Sequence, residues 1–153
     1  MYLQRTCNLY LQIQEDMKTA MRAKDASRLG TIRMLLAAIK QREIDERITL
    51  NDTQLLVIID KMIKQRNESI AQYRQGNRQD LVDKEEAEIV VLKKYLPQAL
   101  TETEIEQIIK EAISTTGASS VKEMAKVMAY IKDKAQGRAD IGKISVAVKV
   151  RLG

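Results

Sequence analysis

Between Asn51 and Gln75 the chain runs for some two dozen residues without a proline or glycine, and its apolar residues return every third or fourth position. Leu55, Ile59, Met62, Ile63, Ile70 and Tyr73 supply one face, while Lys61, Lys64, Arg66, Glu68 and Arg74 fall outside or beside it. At 1.5 Å per residue such a helix is about 35 Å long, and its stripe must be covered by other elements. Asn51 followed by Gln54 reads as a capping box, with Leu50 placed to staple onto Leu55, and Gly76 is expected to end the helix in the left-handed conformation.

The same periodicity recurs on both sides. Ile13, Met17, Ala20 and Met21 predict a first helix over Gln12 to Lys24. Leu29, Ile32, Leu36 and Ile39 predict a second, capped by Ser27 and reaching about Glu46. Asn77 is expected to cap a fourth helix through Leu81, Val82, Ile89, Val90, Leu92 and Tyr95, which Pro97 stops. Its acids lie early and Lys93 and Lys94 late, which suits the helix dipole.

Beyond Pro97, Thr101 with Glu104 reads as a second capping box and Ser120 with Glu123 as a third. They open helices that Gly117 and Gly137 end. Val121, Met124, Met128, Ile131 and Ala135 mark the buried stripe of the penultimate helix, and Asp140 caps the last. That last segment reads two ways. Ile144, Val146, Val148, Val150 and Leu152 alternate at a strand's period of two, whereas Ile141, Ile144, Val148 and Leu152 share one helical face. A solitary strand would leave its backbone unpaired, so a helix is expected.

The expected fold is therefore all-α, with an N-terminal helical bundle over residues 1–96 and a three-helix basic subdomain over 97–153. A chain of 153 residues buries about 70% of its unfolded surface, so a true core is available. With no Phe or Trp, that core is built from Leu, Ile, Val, Met and Ala.

Absences narrow the chemistry. Without His, triads built on Ser-His or Cys-His cannot be assembled, and the chain has no phosphate loop, dinucleotide fingerprint or nucleophile elbow. No catalytic residue, metal or cofactor is expected. Glu85, Glu86 and Glu88 read as a solvated acidic turn, Ser119 and Ser120 beside Lys122 as a capped helix start, and Cys7 as part of a frayed N-terminal segment near Arg5. The single cysteine and the lack of a long apolar stretch lead to the expectation of a soluble, cytoplasmic protein with no membrane partner.

Charge supplies the remaining clue. Residues 1–112 hold 18 Lys/Arg and 18 Asp/Glu, whereas residues 113–153 hold 8 against 3, so the whole net charge of +5 lies in the last quarter. Lys122, Lys126, Lys132, Lys134, Arg138 and Lys143 are the candidate nucleic-acid-binding residues, with the backbone N–H groups at the start of the last helix available to a phosphate. The lack of Phe and Trp favours a structured RNA, read through its backbone and shape, over unpaired bases.

Several short runs occur together and in order: Glu15-Asp16-Met17-Lys18, Arg33-Met34-Leu35, Lys64-Gln65-Arg66 with Ser69-Ile70, Asn77 to Leu81, Tyr95-Leu96-Pro97, Gly117-Ala118-Ser119-Ser120, Lys126-Val127-Met128 and Gly137-Arg138-Ala139-Asp140. With them the chain resembles the stand-alone members of the GatB/YqeY family, similar to the tail domain of the B subunit of glutamine-dependent tRNA amidotransferases. The first dozen residues depart as an extension, and Ala125 stands where the pattern leads one to expect Gly. The resemblance implies a helical tRNA-binding module without its own catalytic body. It also implies tRNA and the amidotransferase or aminoacyl-tRNA machinery as partners. Carbon-nitrogen ligase activity with glutamine as donor, as an accessory of amide transfer, is implied by kinship alone. A protein-interaction scaffold built on the Asn51 to Gln75 helix is the remaining alternative.

Overall fold

A computed structural model describes residues 7–153. Residues 1–6 of the expected N-terminal extension, Arg5 included, therefore lie outside the described residues. Seven α-helices follow one another, with no strand among the described residues: α1 Asn8–Arg22, α2 Ala26–Glu46, α3 Asp52–Gln75, α4 Gln79–Lys93, α5 Glu102–Thr116, α6 Met124–Ala135 and α7 Ile141–Leu152. The chain divides into two compact units between Leu96 and Pro97.

The first unit packs α1 to α4 around Ile13, Ala20, Ile32, Leu35, Ile39, Leu50, Leu55, Ile59 and Leu92, all buried. The capping box that opens α3 is formed in both directions. Asn51 Oδ1 accepts the Gln54 N–H at 2.9 Å, and Gln54 Oε1 accepts the Asn51 N–H at 2.9 Å. Two other caps differ from expectation. Asp25, not Ser27, caps α2 by accepting the Arg28 N–H at 3.1 Å; a carboxylate two residues earlier takes the orphan donor. Between α3 and α4 it is Asn77, at φ +55°, that adopts the left-handed conformation expected of Gly76, whose φ is −86°. Asparagine tolerates that region better than other residues with a side chain, so its expected capping role gives way to the turn.

Polar contacts join separate elements inside this unit. Arg66 of α3 and Glu88 of α4 form an ion pair of 2.9 Å. Glu88 is thus buried in a pair and not part of a solvated acidic turn. Beyond α4, the Tyr95 hydroxyl donates to Asp16 Oδ2 of α1 at 2.7 Å, and Arg28 of α2 lies 3.9 Å from the same carboxylate. Cys7 is likewise not frayed, because its thiol is buried and donates to Asp52 at the start of α3 at 2.7 Å.

The second unit packs α5, α6 and α7 around Ile109, Ala112, Ala118, Val127, Ile131, Ala135, Ile144 and Val148. Thr101 and Glu104 form the expected box, and Gly117 ends α5 at φ +68°. The box expected at Ser120 is not formed. A single 3-10 turn, Val121–Glu123, precedes α6 instead, and the Glu123 carboxylate accepts the N–H of Ser119 at 2.8 Å. In α7, Ile144 and Val148 point inward while Val146 and Val150 are 65% and 75% exposed, so the alternation in the sequence arises from two faces of a helix.

Candidate nucleic-acid interface

The candidate cations lie in the second unit, where α5 carries acids and the elements after it carry bases. Glu102, Glu104, Glu106 and Glu111 are on α5 against Lys110, whereas residues 113–153 hold eight cations and three acids. Counted by compact unit the picture changes. Residues 97–153 hold 9 Lys/Arg and 7 Asp/Glu, and residues 1–96 hold 17 and 14, so the positive excess is shared by both units. What distinguishes the second unit is separation of sign, not total charge.

That separation is partly cancelled where α5 meets its neighbours. Lys134 Nζ lies 3.4 Å from Glu111 Oε2 and 4.8 Å from the centre of the Tyr130 ring, and Arg151 pairs with Glu106. The neighbouring Tyr130, and after it the hydrogen bond to Glu111 and that residue's charge, hold the Lys134 ammonium above its ordinary pKa. Lys134 therefore serves the α5–α6 seam as well as facing solvent.

Arg138 has a structural task. Its Nε donates to the Gln98 carbonyl at 3.1 Å, and its own carbonyl accepts the Leu100 N–H at 2.8 Å. The turn between α6 and α7 is thereby tied to the segment that leads into α5. The same turn supplies Asp140, whose Oδ1 caps α7 by accepting the N–H groups of Gly142 at 2.9 Å and Lys143 at 3.3 Å. Those two backbone donors, expected to be available to a phosphate, are already satisfied by the protein's own carboxylate.

Lys122, Lys126, Lys132 and Lys143 are exposed and form no ion pair among the described residues. They do not all share one edge. At 100° per residue, Lys126, Tyr130 and Lys134 follow one another along one side of α6, while Lys132 sits about 120° around the helix from Lys126. Lys122 is in the 3-10 turn and Lys143 in the first turn of α7. Lys126 also stands near Glu123, whose carboxyl is held below its ordinary pKa, first by the Ser119 N–H and also by the Lys126 charge. Two residues at this surface are additions to the sequence reading. Tyr130 was legible from its four-residue spacing between Lys126 and Lys134. Lys149, exposed on α7, is one of the eight cations of residues 113–153.

Elsewhere the chemistry is sparse. No group of three or more His, Cys, Asp or Glu side chains among the described residues converges on a metal position. No helix among them is long and apolar enough to cross a membrane. The first unit has an open groove of about 590 Å³ between α2 and α3, lined by Ala38, Arg42, Glu46, Val57, Lys61 and Met62 among others. Val57 is the large apolar side chain that α3 exposes.

An all-α chain of two units, the second with acids and bases segregated on different helices, is the class that fold and surface define. The Yqey-like protein family matches residues 11–152, nearly the whole chain, and the chain belongs to that family.

The curated proteins it is similar to include three from fungi, each named Altered inheritance of mitochondria protein 41, mitochondrial. That of Lachancea thermotolerans is 42% identical over 106 residues, covering 69% of this chain and 54% of the relative. That of Vanderwaltozyma polyspora is 35% identical over 122 residues, covering 74% and 65%, and that of Pyrenophora tritici-repentis 35% over 129 residues, covering 81% and 71%. The chain thus spans between about half and two thirds of the length of the first two. These names overturn the cytoplasmic setting expected from the sequence, since the relatives are named as mitochondrial proteins. A lone cysteine reports only that no internal disulfide can form, which does not tell one reducing compartment from another.

Proposed function

We propose that this protein is a helical RNA-binding module that grips the phosphate backbone of a structured RNA, of the tRNA kind, with exposed lysines of its second unit. The observation that carries the reading is the set of four exposed, unpaired lysines, Lys122, Lys126, Lys132 and Lys143, on the elements that follow α5. Phosphate contacts need accessible cations more than a shaped pocket. Lys134 and Arg138 support the surface, one from the α5–α6 seam and the other by fixing the turn before α7. The resemblance of the sequence to the amidotransferase tail supports the same class of ligand.

A titration of bulk tRNA against three forms of the protein tests it: wild type, a Lys122→Glu/Lys126→Glu variant, and a Lys18→Glu/Arg22→Glu variant that makes the same charge change on exposed positions of α1. The reading expects the first double variant to lose most of the affinity and the second to keep it. Equal losses, or no binding by wild type at low salt, would remove it.

A further inference from the structure

The outward face of α7 is not charged but apolar. Val146 and Val150 are 65% and 75% exposed. At 100° per residue Val146, Val150 and Gly153 fall within about 60° of one another around the helix. A Cβ built at Gly153 would lie 3.7 Å from Cγ2 of Val121, itself 39% exposed, so the stripe continues onto the 3-10 turn before α6. Lys143 and Lys149 flank the line from Val146, each about 60° to one side. Both are exposed and neither forms an ion pair among the described residues. From Ile141 to Leu152 the helix contains no Asp or Glu.

Nothing among the described residues covers those valines. β-Branched residues are poorer helix formers than Ala or the straight-chain residues, and at these positions they gain no burial in return. Phosphates do not reward them either, because isopropyl groups contribute to binding only by leaving water, and a nucleic-acid backbone offers them no apolar surface. What separates Val146 and Val150 from a singly exposed apolar side chain is that they stand one turn apart on one face, with exposed Val121 near the end of their line.

We infer that this face is a docking surface for an amphipathic helix of a partner protein, one whose apolar stripe carries carboxylates on both sides. The valine ladder takes the partner's apolar residues at i, i+4 and i+7, and Lys143 and Lys149 meet the flanking acids. Charge complementarity selects the occupant, since a basic partner is repelled from both rims. The surface stands whether or not the protein binds RNA.

The test uses the full chain and a fluorescein-labelled synthetic helical peptide with Leu at i, i+4 and i+7 and Glu on both flanks, beside a scrambled peptide of identical composition. Fluorescence anisotropy should show the patterned peptide binding at least about tenfold more tightly than the scrambled one, and Val146→Ser/Val150→Ser should abolish that preference. Lys143→Ala/Lys149→Ala should weaken the patterned peptide several-fold and flatten its salt dependence. Bulk tRNA binding by the serine variant should match wild type.

Equal binding of both peptides would reduce the face to plain charge attraction and overturn the inference, as would binding of neither. Phosphatidylserine vesicles that bind wild type but not the serine variant, with no peptide preference, would assign the face to a lipid surface instead. Valine-dependent self-association in sedimentation, again without peptide preference, would assign it to a second copy of the chain.

Discussion

Arg66 on α3 and Glu88 on α4 meet at 2.9 Å with side chains only 11% and 10% exposed, and Arg66 also donates to the Met62 carbonyl at 3.2 Å. An ion pair this dry costs desolvation on both sides, and removing one partner leaves the other charge buried and uncompensated. Glu88→Ala or Arg66→Ala should each destabilise the first unit by about 3–5 kcal/mol. The double variant Arg66→Met/Glu88→Leu should lose far less than the sum. Urea denaturation followed by helical circular dichroism measures all three.

Tyr95 predicts the alkaline limit of stability. Burial first, then its hydrogen bond to Asp16 and that residue's charge, push the phenol well above the ordinary tyrosine value of 10.0. A raised pKa in the folded state means that the stabilisation is complete below about pH 10 and is lost as pH rises beyond it, because the unfolded chain gives up its proton first. Stability measured against pH should fall above that point, and Tyr95→Phe should fall less steeply, since it has no phenol to ionise. Parallel curves for the two proteins would contradict this.

Two glycines should respond with opposite sign to the same change. Gly30 lies inside α2, where a Cβ would meet no atom within 4 Å, so Gly30→Ala should stabilise by about 0.5–1 kcal/mol through a less free unfolded chain and better helix propensity. Gly117 ends α5 at φ +68°, where a side chain is strained whatever the space, so Gly117→Ala should destabilise by about 1 kcal/mol. Thermal melts of the two variants give the comparison directly.

Arg138 and Lys143 should separate structure from binding. Arg138→Ala removes the donor to the Gln98 carbonyl and should cost the second unit about 1–2 kcal/mol. Lys143→Ala should leave stability within about 0.5 kcal/mol of wild type, because its exposed ammonium has no partner to lose. Denaturation of the two single variants checks the distinction.

Helix periodicity and boxes of residues three apart carried most of the fold. Asn51 with Gln54, Thr101 with Glu104, and Asp140 before α7 form caps that the sequence displays locally. Where two nearby residues competed for one role, local reading chose the wrong one, as with Ser27 against Asp25 or Gly76 against Asn77. Either residue satisfies the backbone, and the chain's path decides. The Arg66–Glu88 pair was not legible at all, because 22 positions separate the partners and only the packing of α3 on α4 makes them neighbours.

The candidate site was legible as a list of cations but not as a surface. Counting by quarter of the chain hid the acids of α5, which fold into the same unit and engage Lys134 and Arg151. Arg138 looked like a free phosphate ligand because a sequence does not show that the Gln98 carbonyl returns to meet it.

The central claim is that exposed lysines of the second unit neutralise RNA phosphates, and the salt dependence of tRNA affinity tests it most directly. With roughly four contacts, affinity should fall on the order of 100-fold between about 50 and 200 mM salt, and Lys126→Ala or Lys143→Ala should each reduce the log–log slope by about one. A slope near zero for wild type, or the same slope in all three proteins, would contradict it.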